Sequence, residues 1–422
     1  MKLKIHGAAK EVGRSCIEIS DEKHKLLLDV GIKLEEETSY PQGFENLADT
    51  SIIFLSHAHL DHSGCLPLLK NYGLHCPIIT NAATKALTKI LLKDSYKVEK
   101  LNRHHVNYHR NDIYETIGDM QNVNYNKDYY FGDVRYKYYD AGHIPGSSII
   151  LIEIRGKKVL YTGDFNSQET MLLSPANTDV EAGVDVMICE STYGNRDHPD
   201  RKVQIKDFID EIKKTVNRGG SVVIPAFAVG RAQEVALMLH NNDFGVPVYL
   251  DGMAKSVAEQ MLLKPRFIKN PAELRKALGK LHIVKGFRER EKIVKQQGIF
   301  ITTSGMLEGG PVLDYLQYLW EDLNSSILLT GYQAKHTNGR LLLDEGSIFL
   351  DGWKIKVKNH VKQFDFSAHA GRKQIHDFVL KVKPKLLVLA HGDPEACTAM
   401  KDWAESKGVK AIVPEFGQQI EL

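Results

Sequence analysis

Short hydrophobic runs rich in Val, Ile and Leu recur along the whole chain and alternate with longer amphipathic stretches, a pattern that predicts an α/β protein. The runs that we predict as strands in the first half are 25–28, 51–55, 77–80, 135–139, 148–154, 158–162 and 185–189. Few helical stretches separate these runs, so several strands are expected to follow one another directly.

From about residue 200 the pattern changes to a regular alternation of strands and helices, which is typical of a parallel sheet. The predicted helices of this part are 203–216 and 231–240, and the predicted strands are 222–225, 246–250, 298–302 and 326–330. A last helix, 372–382, precedes a last strand, 385–390. Because no repeat or Pro/Ser-rich linker interrupts the chain, we expect any domain boundary to be a direct crossover between packed domains.

Composition describes an ordinary globular protein. The chain has 422 residues, of which 43% are hydrophobic and 26% are charged, and its length predicts two or three domains. The longest apolar stretch, 222–230, contains Pro225 and is far shorter than the roughly 20 residues of a membrane span. Since no signal-peptide core follows the first lysines, we expect a cytoplasmic protein without a membrane partner.

The net charge and the cysteine content exclude few classes of function. The net charge of +2 neither requires nor forbids a polyanionic partner. No two of the five cysteines have C-x-x-C spacing, so we expect buried apolar cysteines rather than disulfides or a thiolate zinc site. The placement of the 18 histidines is more informative.

The most informative segment follows the predicted strand 51–55 and carries His57, His59, Asp61 and His62 in an H-x-H-x-D-H string. Imidazole and carboxylate groups are the ligands expected for zinc or a similar first-row ion. Alternate residues of an extended segment point to opposite sides, so one such string can serve two adjacent ions. The density of ligand-type residues makes an incidental histidine-rich surface loop a poor alternative.

One loop cannot complete two metal shells, so further ligands are needed at other strand ends. His143, Asp164 and His391 each follow a predicted strand and have a glycine nearby. Each alone is more often an ordinary loop residue, but together with the string they predict a metal site. Asp29, which follows the predicted strand 25–28, is expected to orient a ligand histidine by accepting its ring N–H.

These residues resemble the metallo-β-lactamase superfamily. The resemblance implies two Zn²⁺ ions per chain, with His57, His59 and His143 on one ion, Asp61, His62 and His391 on the other, and Asp164 bridging both. It also implies a four-layer αββα sandwich with the metals at one edge.

Further segments resemble the β-CASP branch of this superfamily, whose members cut nucleic acids. They are Glu190-Ser-Thr-Tyr-Gly194, Phe366-Ser-Ala-His369, Leu389-Ala-His391, 225–234, 303–306 and 330–333. The last three of these segments are similar to the endonuclease subunit of the cleavage and polyadenylation machinery and its archaeal relatives, cousins of RNase J. The resemblance implies a metallo-β-lactamase domain at 1–194 and 369–422, with a parallel-sheet, Rossmann-like β-CASP domain inserted at 195–368.

The expected activity is hydrolysis of single-stranded RNA by a hydroxide that bridges two metals, as an endonuclease, a 5′ to 3′ exonuclease or both, in mRNA 3′-end processing or decay. Asp61 and Asp164 would accept a hydrogen bond from the nucleophile. His369 would donate a proton to the leaving 3′ oxygen, held in orientation by Glu190. A satisfied core histidine and a strand-end cap are the alternatives for His369 and Glu190.

Contacts to RNA phosphates are expected from Ser304 and Gly305 at a predicted helix start, from Tyr332, and from Arg231, for which an intramolecular carboxylate is the alternative partner. The rival functions are a metal-dependent thioesterase or lactamase-like hydrolase and a non-catalytic RNA-binding subunit. The cleavage mode, the sequence preference, the physiological metal and the oligomeric state, with a homodimer among the candidates, stay open.

Overall fold

The computed structural model describes residues 1–34, 37–101 and 106–422, which form two compact units. Unit 1 comprises Met1–Glu169, Ser174–Asp197 and Ala368–Leu422, and unit 2 comprises Thr170–Leu173 and His198–Ser367. Across the described ranges, no helix has both the length and the apolar character needed to span a bilayer.

The first part of unit 1 contains β1 (Lys2–Ile5), β2 (Ile17–Ser20), β3 (Lys25–Leu28), β4 (Ile52–Phe54), α1 (Leu60–Ser63), α2 (Leu66–Asn71), β5 (Ile78–Thr80), α3 (Ala82–Leu101), α4 (Arg110–Asp119), β6 (Met120–Asn122), β7 (Asp128–Phe131), β8 (Val134–Asp140), β9 (Ser148–Ile154), β10 (Lys157–Tyr161) and β11 (Val186–Glu190). Unit 2 contains α5 (Arg201–Asn217), β12 (Val222–Pro225), α6 (Arg231–Leu239), β13 (Val248–Leu250), α7 (Ala254–Leu262), α8 (Pro271–Gly279), β14 (His282–Ile283), α9 (Phe287–Ile293), β15 (Ile299–Thr302), α10 (Pro311–Leu319), β16 (Ser326–Leu329), α11 (Asn338–Glu345), β17 (Ser347–Leu350), β18 (Trp353–Lys356) and β19 (His360–Gln363). Unit 1 then resumes with α12 (Arg372–Val382), β20 (Leu386–Ala390), α13 (Pro394–Ser406), β21 (Ala411–Ile412) and β22 (Gln419–Glu421).

Two seven-stranded sheets form the centre of unit 1, in the orders β22-β1-β2-β3-β4-β5-β6 and β21-β20-β11-β10-β9-β8-β7. One face of each sheet contributes to a shared core, which includes Leu28 and Phe54 of the first sheet and Ile152 and Ile188 of the second. Helices α2 and α4 cover the outer face of the first sheet, and α12 and α13 cover that of the second. Unit 1 is therefore the expected four-layer αββα sandwich.

Unit 2 is built on a six-stranded sheet in the order β14-β13-β15-β12-β16-β19, in which every pairing is parallel. Helices α5, α6 and α7 pack on one face of this sheet. Helices α10 and α11 and the β17–β18 hairpin pack on the other. The central strands β12, β15 and β16 are buried on both sides, which explains why their sequences are largely continuous apolar runs, whereas the edge strands β14 and β19 are partly exposed.

Several predicted elements have the bounds that the structure shows. The predictions 25–28, 148–154, 222–225 and 372–382 coincide with β3, β9, β12 and α12. The five cysteines are buried and unpaired, as predicted. The 20-residue helix α3 and the β17–β18 hairpin were not predicted.

Candidate metal centre

Ligand-type side chains converge at the carboxyl ends of strands in both sheets of unit 1. They are Asp29 after β3, His57 after β4, His143 after β8, Asp164 after β10, Glu190 at the end of β11 and His391 after β20. Gly163 precedes Asp164 with a φ of 50°, and a Cβ atom at this position would lie 2.8 Å from Cβ of Ser56. The close approach of the β4 and β10 ends therefore requires glycine here.

The 57–62 string is only half extended. His57 and His59 lie in the loop after β4, whereas Asp61 and His62 lie in α1, where the carbonyl of His59 accepts the N–H of His62 at 3.0 Å. We predicted that alternate residues of an extended segment would face two different ions. That prediction is wrong for Asp61 and His62. The turn at the helix start brings the adjacent residues Asp61 and His62 into the same cluster.

The first cluster consists of His57, His59, His143 and Asp164. Nδ1 of His59 lies 3.2 Å from Nε2 of His57 and 3.1 Å from Nε2 of His143. Oδ2 of Asp164 lies 3.5 Å from Nε2 of His57. Ligands held at about 2.0–2.1 Å around a tetrahedral ion are about 3.3 Å apart, so this spacing fits one zinc-sized ion.

The second cluster consists of Asp61, His62, Asp164 and His391. Nε2 of His62 lies 3.3 Å from Oδ2 of Asp164. Nε2 of His391 lies 3.2 Å from Oδ2 of Asp61, and its Nδ1 lies 3.3 Å from Oδ1 of Asp164. Asp164 belongs to both clusters, and the two clusters together contain all seven predicted metal ligands.

Asp29 supports the second cluster through hydrogen bonds. Its buried carboxylate accepts a hydrogen bond from Nδ1 of His62 at 2.7 Å and from the hydroxyl of Tyr161 at 2.7 Å. It also accepts the backbone N–H and the hydroxyl of Ser56, each at 2.6 Å. The bond to His62 fixes the ring orientation and leaves Nε2 for the cluster, which is the arrangement expected of Asp29.

Other supports were not visible in the sequence. Nδ1 of His143 donates to the carbonyl of Ala368 at 2.9 Å, and its backbone N–H donates to the hydroxyl of Ser147 at 3.0 Å. The hydroxyl of Thr192 donates to the carbonyl of His391 at 3.1 Å. Thr192 belongs to the segment Glu190-Ser-Thr-Tyr-Gly194, but its partner is 199 residues away along the chain, so only the fold reveals the contact.

The residues present fit a metal. In the described part of the chain, Nε2 of His62 and Oδ1 of Asp164 are buried without a hydrogen-bond partner. Leaving a buried polar group unpaired costs about 1–3 kcal/mol, so such atoms are rare in a protein interior. Both residues belong to the second cluster, where a cation would satisfy them. A mixed imidazole and carboxylate donor set matches zinc and related divalent ions.

Protonation also favours metal binding at the first cluster. Burial and the neighbouring imidazoles lower the pKa of His59 to about 4 and lower the pKa values of His57 and His143 well below the usual range. These rings are therefore neutral at neutral pH, the form that binds metal. Burial raises the pKa of Asp164, but the nearby His391 and His62 outweigh it, and the net pKa is well below the usual range.

His369 and Glu190 form a pair beside the two clusters. Nδ1 of His369 lies 3.0 Å from Oε2 of Glu190 and 3.9 Å from Oδ2 of Asp164. The other oxygen of Glu190 accepts the N–H of Phe165 at 2.8 Å. Burial lowers the pKa of His369, but the carboxylates of Glu190 and Asp164 outweigh this effect and raise its pKa to about 9. The side chain of His369 is 22% exposed, unlike that of a core histidine.

Ser304 and Gly305, expected to contact phosphate, follow β15 in unit 2. The predicted helix start at Ser304 is wrong, because α10 begins only at Pro311. The intervening turn contains Gly309 and Gly310 at positive φ, which disfavours a helix, whereas Pro fits the first helical position.

Two other expected phosphate contacts differ in accessibility. Tyr332 is 40% exposed, so RNA could reach it. Arg231 is buried and pairs with Glu234, the intramolecular alternative considered from the sequence. Glu234 also pairs with Arg201 at 2.6 Å, so the two arginines share one carboxylate.

Three family models match this chain. A metallo-beta-lactamase superfamily domain matches residues 18–190, a Beta-Casp domain matches 232–342, and a Zn-dependent metallo-hydrolase RNA specificity domain matches 354–414. The first of these ranges contains most of the clustered ligands, and the last contains His369 and His391.

Several proteins resemble this chain over its whole length. Probable RNase MJ4 of Methanocaldococcus jannaschii is 41% identical, with 100% of both chains covered. RNase aCSPSF2 of Saccharolobus solfataricus is 36% identical, with 100% of this chain and 85% of the relative covered. The crystal structure of a protein of unknown function from Enterococcus faecalis V583 matches 100% of this chain and 99% of that one with a TM-score of 0.64 at 16% identity, which supports the fold alone.

Fold and site together define a metal-dependent hydrolase of the metallo-β-lactamase type. The superfamily fold serves several reactions, so the fold alone does not identify the reaction. The full-length similarity to two RNases is more specific about the activity. The chain belongs to the β-CASP ribonuclease branch of the metallo-β-lactamase superfamily. It is a ribonuclease.

Proposed function

We propose that the chain hydrolyses phosphodiester bonds of single-stranded RNA at the unit 1 clusters with two Zn²⁺ ions. The observation that carries this proposal is the membership of Asp164 in both clusters, since two ions would then share its carboxylate. His57, His59 and His143 would hold one ion, and Asp61, His62 and His391 the other. When bound, such a pair neutralises charge on the scissile phosphate and lowers the pKa of a coordinated water.

The protein supplies orientation and a proton. Asp61 and Asp164 accept a hydrogen bond from the attacking water and so aim it at phosphorus. His369 donates a proton from Nε2 to the leaving 3′ oxygen while its Nδ1 is bonded to Glu190. Glu190 is a positioning residue, because its own carboxylate is fixed by the N–H of Phe165.

We also propose a metallo-β-lactamase domain at 1–194 and 369–422 and a β-CASP domain at 195–368. The division of the chain into units 1 and 2 and the ranges of the family models support this proposal. We assign contacts with the RNA backbone in unit 2 to Ser304, Gly305 and Tyr332. Arg231 is the weakest of the four proposed contacts, because a phosphate would have to displace Glu234.

A role in RNA 3′-end processing or decay is supported by the names of the relatives. Two are RNases, and the transcription termination factor FttA of Pyrococcus horikoshii is 33% identical over 93% of this chain and 66% of its own length. The cleavage mode is tested with RNA labelled at either end, with and without a 5′ monophosphate. Internal fragments indicate endonuclease action, and mononucleotides released from the 5′ end indicate 5′ to 3′ exonuclease action.

The assignment of the site is tested with two variants of the zinc-loaded protein. Asp61→Ala and His369→Ala should each abolish cleavage while RNA binding, measured by fluorescence anisotropy, is largely kept. His282→Ala is the matched control, because His282 lies exposed in β14 of unit 2, and it should cleave as the wild type does. Wild-type rates in either of the first two variants would refute the assignment.

A further inference from the structure

Unit 1 contains a second concave site, built from residues other than the proposed metal ligands. It is a pocket of about 470 Å³ formed by the loop after β11 together with α12 and α13. The lining residues that matter here are Asn195 and Asp197 of the loop, Arg372, Lys373 and His376 of α12, and Trp403 of α13. This volume lies within the range of sites that bind small molecules or parts of larger ligands, about 300–1,000 Å³.

An aromatic pair forms one wall of this pocket. The rings of His376 and Trp403 are stacked, with centroids 3.6 Å apart and an interplanar angle of 2°. Both side chains are half-buried, so the pair is accessible from the pocket. Nε2 of His376 is buried and has no hydrogen-bond partner among the described residues. A stacked aromatic pair at the wall of a pocket is the kind of platform on which a nucleobase stacks.

Cationic side chains flank the aromatic pair. Arg372 and Lys373 expose 49% and 75% of their side chains. Asp197 accepts the backbone N–H of Lys373 at 2.7 Å and pairs with Arg372 at 3.0 Å, so both of its carboxylate oxygens are engaged. The pairing of Lys373 with Asp377 is exposed to solvent. Exposed ion pairs are weak, so RNA phosphates can compete for these cations.

The pocket is connected to the candidate metal centre by a short series of contacts. The ring of Tyr193 lies 6.1 Å from that of His369, and the guanidinium of Arg196 lies 4.4 Å above the ring of Tyr193. The carbonyl of Arg196 in turn accepts the N–H of Arg372 at 2.9 Å. Gly371, the N-cap residue of α12, is two residues after His369. The pocket and the candidate metal centre are thus linked through neighbouring residues of unit 1.

We propose that this α12–α13 pocket binds one nucleotide of the RNA substrate away from the scissile bond, with its base against the His376–Trp403 pair and its phosphate near Arg372 and Lys373. The RNA specificity domain matched at 354–414 includes both helices. Such a subsite depends on the ribonuclease function proposed above and adds affinity to it. Because every base has a π face, the contact favours unpaired RNA without selecting a sequence.

Steady-state kinetics of the zinc-loaded full chain on single-stranded RNA test this subsite. Trp403→Leu should raise KM about tenfold, the size expected for one lost stacking contact, and change kcat by less than about twofold. Trp403→Phe keeps an aromatic face and should restore most of the affinity. A wild-type KM in Trp403→Leu, or equal KM values in the Leu and Phe variants, would overturn the proposal.

The charged wall is tested on a residue whose replacement leaves the packing intact. Lys373→Glu should raise KM several-fold, whereas Lys381→Glu should leave it unchanged. Lys381 is the matched control because it lies in the last turn of the same helix and is 47% exposed. Equal effects of the two substitutions on KM would indicate general repulsion between the added carboxylate and RNA, and would overturn the proposed subsite.

Fluorescence gives a readout that is independent of catalysis. The chain has three tryptophans, so a Trp320→Phe, Trp353→Phe variant keeps Trp403 as the single reporter. Adding a uridine homopolymer should quench its emission, and Lys373→Glu should weaken the quenching. Unchanged emission while anisotropy shows bound RNA would contradict the subsite. Quenching in the single-tryptophan chain, combined with a wild-type chain that cuts no RNA, would instead contradict the proposed function and leave the subsite standing.

Discussion

Units 1 and 2 both place carboxylates at the ends of buried strands, but they compensate the charges differently. In unit 2, Asp251 follows β13 and accepts hydrogen bonds from Arg290 at 2.7 Å and from the hydroxyl of Tyr315 at 2.9 Å. In unit 1, Asp164 follows β10 and is surrounded by imidazoles, and one of its oxygens has no hydrogen-bond partner among the described residues. Both carboxylates are 2% exposed.

The difference shows where an external cation is needed. The charge of Asp251 is compensated by a permanent guanidinium, so this group stabilises unit 2 and has no capacity for a ligand. The partners of Asp164 are imidazoles, which titrate. Burial leaves the rings of His57 and His143 neutral, whereas nearby carboxylates outweigh burial and raise the pKa of His62 well above its usual range and that of His369 to about 9. Burial of a carboxylate alone therefore does not mark a metal site, whereas burial among several imidazoles at ligand spacing does.

The largest expected effect is that of Asp164→Asn. Removing the charge shared by both clusters should lower kcat for RNA cleavage about 10³-fold or more, because metal stabilisation of transition-state charge is worth several kcal/mol. Cleavage of end-labelled RNA measures the rate, and a thermal melt verifies that the variant is folded. If kcat of the variant stayed within about twofold of the wild-type value, the proposed difference between Asp164 as a metal ligand and Asp251 as a structural carboxylate would be contradicted.

A smaller effect is expected for Asp29→Asn, which leaves every ligand in place. The substitution weakens the hydrogen bond that orients His62, so zinc affinity should fall about 10–100-fold. Competition with a chromophoric chelator measures this affinity. Tyr161→Phe removes a single donor to the same carboxylate and should have a weaker effect in the same direction.

The smallest effect on zinc is expected in unit 2. Asp251→Asn removes one of the two carboxylates that pair with Arg290, the other being that of Asp314, and should cost about 1–3 kcal/mol of unfolding free energy. The zinc content of Asp251→Asn should match that of the wild type. Below the melting temperature of the variant, its cleavage rate should match as well. Denaturant unfolding and elemental analysis report the two properties separately, and loss of zinc with retained folding would contradict the comparison.

Much of the fold was predictable because period and length of apolar runs are local properties. The β17–β18 hairpin carried a signal that was overlooked, since Asp351-Gly352 forms its two-residue turn with φ values of 50° and 82°. Helix α3 also showed a helical stripe, with Ala83, Leu87 and Leu91 buried at four-residue spacing.

The grouping of the seven ligand-type residues was predictable because so many of them in or directly after strand-end loops are a rare pattern. The supporting role of Asp29 was also predicted, but its contacts with Ser56 and Tyr161 were not, because these residues meet only in three dimensions. Arg231 shows an intermediate case. Its partner Glu234 is three residues later on the same helix, a pairing that the sequence permits but does not require.

The account depends on two ions sharing Asp164, and native mass spectrometry of the purified chain counts them. The account predicts two zinc ions per wild-type chain, two in Asp251→Asn, and fewer in Asp164→Asn, with cleavage of RNA lost in the last. A wild-type chain that cleaves RNA while carrying one ion or none would contradict it.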